Sequence, residues 1–175
     1  RLDPRNPYIS AEAGRAALGL GDTSRVLAEA ERCRGIDADF GACEWLLANL
    51  SLELAHSAPR DAAERQRLLA EAGDRLKRAA SMRWYEDDSA QALAACQGAA
   101  VLVSIGHAGE AKDLADLAVY KAPDSPDARY HLGRAWEALG RRDLAAEAYR
   151  AALTLAPAVD AVPFTRPEPP VPAEN

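Results

Sequence analysis

Pro123 and Pro157 each follow a run of small and apolar residues, "AVYKA" and "ALTLA", and stand 34 residues apart. Gly106 and Gly140 precede them at the same spacing. In the last of these units, "YHLGRAWEALGRRDLAAEAYRAALTLAP", two striped apolar segments flank Gly140. Glycine supplies the backbone conformation that ends a helix, and proline can neither donate the next hydrogen bond nor continue the spiral. A helix, a glycine turn, a second helix and a stop, repeated at a fixed period, constrain the fold strongly. Each unit buries its apolar stripe only against its neighbours, so the chain must stack into an array.

Composition agrees with close helix-on-helix packing. Of the 175 residues, 49% are apolar but only 6% aromatic, and alanine recurs throughout. Small, strong helix formers with few β-branched residues predict an all-α chain. The net charge of −6 and a pI near 5.1 argue against nucleic acid as a partner, because the cations are scattered among more numerous carboxylates. The longest apolar stretch, Gly98 to Gly106, is too short to span a bilayer, so no direct membrane insertion is expected of this segment.

Residues 126–159 resemble the tetratricopeptide repeat. Leu132 and Gly133 fill its leucine–glycine pair, Trp136 the aromatic position and Gly140 the turn. Ala145, Tyr149 and Ala152 match the second helix, and Pro157 ends it. Gly133 and Ala145 let the two helices approach, while Trp136 and Tyr149 fill the wedge between them. Residues 92–125 match less fully, through Gly106, Ala111, Ala115, Ala118 and Pro123. Residues 7–40 share the register through Gly14, Gly21, Ala30, Cys33 and Ile36. The resemblance implies an α-solenoid of about four antiparallel helix pairs in a right-handed superhelix.

The second pair, residues 41–91, is enlarged. Its first helix, "ACEWLLANLSLELAH", places Trp45, Ala48, Leu52 and Ala55 on one stripe. Pro59 and Asp61 suit the start of an over-long second helix from Arg60 to about Arg83, followed by an extended "WYEDDS" loop. Residues 1–6, with "RLDP", read as the tail of a preceding repeat of a longer array. Residues 160–175 hold five prolines within "VPFTRPEPPVPAEN" and are expected to be largely disordered, with Val162 and Phe164 folding back over the last helix.

No catalytic residue, metal site or cofactor is read from the sequence. "GLGD" lacks the spacing of a phosphate loop, and the three histidines have no partners at ligand spacing. Three adjacent acids, Glu86 to Asp88, read as solvated surface. Asn49-Leu-Ser51 is a glycosylation triplet in form but lies inside a helix. Cys33, Cys43 and Cys96 read as three small buried residues, with a Cys33–Cys43 pair as the alternative in an oxidising compartment.

Function is therefore expected from binding. The resemblance implies that first helices line a concave groove, to which Glu12, Arg15, Trp45, Asn49, Glu53, Gln97, Tyr130, His131, Arg134 and Glu137 would contribute, with Cys96 beside Gln97. Trp45 is either a groove anchor or packing against the long helix. Arg134 and Glu137 are groove residues or an ordinary surface pair. Trp84 and Tyr85 form either a second binding surface or a plug. Ala11 and Leu46 stand where a clamp for a partner's terminal carboxylate would want polar groups, which argues against a chaperone-tail adaptor. The expected role is a non-catalytic protein-interaction scaffold with a peptide or protein partner. The alternatives are a module that stacks end to end, as a homo-oligomer, and a regulatory domain of a larger enzyme or membrane protein. Three lysines against eighteen arginines suit a bacterium of high genomic GC content. There, resembling arrays serve envelope-associated complexes, in cytoplasm or periplasm.

Overall fold

The computed structural model describes residues 5–58, 62–85 and 87–156. Expectations that rest on Pro59, Asp61, Pro157, Val162 and Phe164 lie outside them. The described residues form α1 (Pro7–Gly19), α2 (Thr23–Ile36), α3 (Gly41–Ser57) and α4 (Ala62–Ser81). They continue with α5 (Asp88–Ser104), α6 (Ala108–Lys121), α7 (Pro126–Ala138) and α8 (Arg142–Leu155). Consecutive helices pack as four hairpins, and each hairpin packs on the next through α2–α3, α4–α5 and α6–α7. The protein is an all-α solenoid.

Local chemistry sets the helix ends. Asn6, Asp22, Asp87 and Ser125 cap α1, α2, α5 and α7 by accepting a backbone N–H, and Pro7 and Pro126 occupy the first turns, where no donor is needed. Gly21, Gly106 and Gly140, with φ of 72°, 85° and 75°, close α1, α5 and α7. In each case the next amide reaches five residues back, as in Asp22 to Ala17, His107 to Leu102 and Arg141 to Trp136. This paired-bond stop explains why glycine recurs in register. The enlarged hairpin lacks that glycine, and its helices are longer: 17 residues in α3 and 20 in α4, against 13 and 14 in α1 and α2. The sequence predicted most of this enlargement but not that α5 would also reach 17 residues. Asp87 caps it one residue ahead of Asp88, so Asp88 and Ser89 are helical instead of belonging to the loop. The loop itself is correspondingly short.

Alanine-rich faces make the core. Ala111, Ala115 and Ala118 of α6 meet Ala128 and Ala135 of α7 in one cluster, all fully or nearly fully buried. A Cβ on Gly133 would lie 2.5 Å from the Tyr149 ring, so this glycine is there for close helix approach.

One junction ties the first three hairpins together. The loop before α3 and the loop before α5 pair through Gly41 N–H to the Arg83 carbonyl at 2.9 Å and Arg83 N–H to the Asp39 carbonyl at 3.0 Å. Phe40 and Trp84 pack there with Tyr8, whose hydroxyl donates to the Trp84 carbonyl at 2.8 Å. Cys33 and Cys43 are joined in a disulfide, with Cα atoms 5.8 Å apart. The leading sequence reading of three free buried thiols is corrected here. The short link from α2 to α3 brings the last turn of one helix against the first turn of the other. Cys96 remains a free buried thiol. Beside the disulfide, the buried Glu44 carboxylate accepts from Arg34, Arg75 and Arg78 at 3.1–3.3 Å, linking α2, α3 and α4.

Two glycine substitutions should move stability in opposite directions. A Cβ at Gly41 would lie 2.2 Å from Trp84 Nε1 and 2.7 Å from the Ala79 carbonyl oxygen. Overpacking against buried groups costs about 1–3 kcal/mol, so Gly41→Ala lowers the denaturation midpoint. At Gly35, in the last turn of α2, a Cβ meets nothing within 4 Å. Gly35→Ala raises stability by about 0.5 kcal/mol through reduced backbone freedom in the unfolded chain. Chemical denaturation of both variants checks the signs.

Candidate interaction surface

First helices pack on first helices at two places, α1 on α3 and α5 on α7. Between them, α3 and α5 stay further apart, because the enlarged hairpin widens the step from one unit to the next. The space left is a cavity of about 650 Å³. Leu52 and His56 of α3, Ala62, Arg65, Gln66 and Leu69 of α4, and Gln97, Ala100, Val101 and Ser104 of α5 line it. A second cavity of about 410 Å³ lies between α5 and α7, lined among others by Ala92, Leu93, Cys96, Asp127 and His131. Gln97 and Ala100 line both, so the two adjoin at α5 and together outline a trough.

Of the expected groove residues, Gln97 and His131 line these cavities, with Cys96 beside Gln97, and Trp45 and Asn49 stand next to them on α3 while Arg134 lines neither. Trp45 is half-buried and donates its indole N–H to Gln97 Oε1 at 2.6 Å, bridging the widened gap. Asn49 is also half-buried and turns its amide back to the Trp45 carbonyl at 2.8 Å. His131 is half-buried, with no hydrogen-bond partner for Nδ1 among the described residues. Burial, and then the Arg134 charge, push its pKa below the ordinary 6.5, while Asp127 opposes them. Cys96, at the same wall, has its thiol pushed up to about 11 by burial and then by Asp127, so it stays protonated and unreactive.

Other expected residues stand elsewhere. Glu12 and Arg15 are exposed on α1 and pair with each other at 2.5 Å. Glu53 is exposed on α3. Glu137 accepts from the Tyr149 hydroxyl at 2.8 Å, so it serves its own hairpin. Tyr130, 47% exposed, stacks on Tyr149 and lines a separate apolar cavity with Ala152 and Leu153 at the α7–α8 end. Of the second-surface pair, Trp84 is the plug: it is 7% exposed and donates to the Ala79 carbonyl at 2.8 Å. It is no exposed anchor, because the α4–α5 loop turns it inward onto Gly41. Tyr85 remains half exposed, with φ 45°, and its hydroxyl donates to Asp37. Ala11 and Leu46 are buried in the core.

The sequence reading missed His56, Arg65, Gln66, Leu69 and Val101 as lining residues. Their signal was the enlarged hairpin itself, since an added turn on each side of a helix turn must project past its neighbours. Among the described residues, no cluster of three or more His, Cys, Asp or Glu side chains could hold a metal ion. No helix among them is long and apolar enough to cross a membrane.

The depressed His131 pKa gives a pH signature. Between the folded-state pKa and 6.5 the unfolded chain binds more protons than the folded one. Stability therefore falls as pH drops below about 6.5, and His131→Gln flattens that part of the profile. Denaturation midpoints at pH 7.5 and 5.5 check this.

No protein-family model and no curated protein sequence matches the chain. Solved structures do. TTC0263, a thermophilic TPR protein in Thermus thermophilus, is 22% identical with a TM-score of 0.65, over 90% of this chain and 77% of that one. MamA is 19% identical with a TM-score of 0.63, over 87% of this chain and 80% of that one. A further MamA structure gives 0.61 at 19% identity, over 87% and 74% of the two chains. The likeness is one of fold: a tetratricopeptide-type helical repeat.

Proposed function

We propose that this chain is a non-catalytic protein-interaction scaffold that takes a segment of a partner protein in the trough across α3, α5 and α7. The observation that carries this reading is the pair of neighbouring cavities either side of α5, which share Gln97 and Ala100 in their walls. Polar side chains such as Gln66, Gln97 and His131 stand there among apolar ones such as Leu69, Val101 and Leu93, the mixture that a peptide with both polar and apolar groups requires. The repeat fold favours interaction through such a face, since stacked units build extended surfaces. An origin in a bacterial envelope-associated complex remains part of this proposal, the bacterial source resting on the arginine-rich composition and the envelope role on the family that the repeats resemble.

The test is affinity capture from source cells with the parent chain and with a Gln66→Ala, Gln97→Ala, His131→Ala variant of lining residues, both shown folded by circular dichroism. A partner held by the parent and lost by the variant supports the trough. A partner held equally by both removes it. A second reading rests on the α7–α8 end face, where Leu153 is 76% exposed beside Tyr130. There the chain would stack end to end, and Leu153→Asp would abolish any concentration-dependent rise in mass.

A further inference from the structure

The part of the trough built by the enlarged hairpin has a definite chemical polarity. Trp45 offers only a donor, so the oxygen of the Gln97 carboxamide must face the indole. The Gln97 NH2 is thereby turned away from Trp45, and its two donors serve the trough. Arg65, exposed on the first turns of α4, makes no ion pair among the described residues, and His56 lies across from it. The wall thus carries several donors and one cation, Arg65, with no carboxylate among the described residues that line the 650 Å³ cavity. Its floor is apolar: Leu52, Leu69 and Val101.

We infer that this cavity takes an apolar side chain of a partner peptide flanked by a carboxylate. The apolar group would sit on Leu52, Leu69 and Val101. The carboxylate would meet Arg65, and a peptide carbonyl would accept from Gln97. Charge complementarity selects the occupant: a basic peptide would set cation against Arg65 with nothing on this wall to receive it. Arginine paired with a carboxylate at the rim of an apolar pocket gives geometric as well as electrostatic selection. This inference rests on the trough being the binding face and adds the chemistry of its ligand.

The test selects a phage-displayed library of random dodecapeptides on the intact chain, then measures the selected peptides by fluorescence anisotropy. The expected consensus is an apolar residue beside aspartate or glutamate. Arg65→Glu changes only an exposed side chain, and Gln97→Glu keeps the acceptor for Trp45 while replacing the donors by a carboxylate. Each should weaken the selected peptides by about tenfold or more, the size of a lost charge-assisted hydrogen bond. Selected peptides without acidic residues, or indifferent to both substitutions, overturn the inference. If those same peptides are lost on His131→Ala, at the second cavity, the trough reading survives without it. Peptides insensitive to all three substitutions, or no selected peptide at all, count against both.

Discussion

Trp84→Ala should lower the unfolding free energy by about 3–5 kcal/mol, the cost of emptying a buried aromatic site. Trp84 is 7% exposed, packs with Phe40 in one cluster and touches Gly41 so closely that no Cβ fits between them. Its loss also removes the shorter of the two hydrogen bonds to the Ala79 carbonyl, the 2.8 Å one, and leaves the 3.3 Å bond from Met82 N–H. Trp84→Phe retains much of the volume but not the N–H, so it should cost less, about 1 kcal/mol for the lost hydrogen bond, because the Ala79 carbonyl keeps the Met82 N–H at 3.3 Å. Urea denaturation followed by circular dichroism gives both values. Equal midpoints for parent and Trp84→Ala would mean that the residue does not hold the hairpins together.

Loss of the Cys33–Cys43 bond should have the next largest effect. The two sulfurs close a short loop, with the residues 0% and 1% exposed and ten positions apart. Chain-entropy reasoning gives about 3 kcal/mol for a loop of this length. Cys33→Ser with Cys43→Ser, or reduction by a dithiol, should lower the midpoint accordingly. Alkylation of the unreduced, denatured chain should label Cys96 alone. Such bonds persist in oxidising compartments, so chains made in a reducing cytosol should show three reactive thiols and the lower midpoint. Three labelled cysteines from an oxidising source, with no response to reductant, would contradict the bond.

Much of the fold was legible because its determinants are local. Gly106 and Gly140 mark the same turn because only that backbone conformation admits the paired capping bonds, and both have positive φ. Gly133 and Tyr149 meet and Ala145 is buried, as their spacing predicted, because a helix pair leaves a fixed gap for small residues. Non-local features were not legible. The fate of Trp84 depends on Gly41, more than forty positions away in the chain, and the Gln97 orientation depends on Trp45 across the hairpin step. The disulfide was open as an alternative, since spacing alone cannot say that α2 and α3 turn back so tightly. The enlarged hairpin was legible, but which of its side chains line the cavity against α5 depends on how α3, α4 and α5 pack together, which the spacing of residues does not state. Tyr130 and Glu137 had the right register but serve the end face and their own hairpin.

Site-specific photocrosslinking inside the source cells tests the central claim most directly. A benzophenone side chain placed at Leu93, 51% exposed on the trough wall, is compared with one at Glu31, exposed on α2. The account predicts a discrete adduct with another protein from position 93 and none from position 31. An adduct from position 31 alone would place the interaction on the second-helix face and contradict the account.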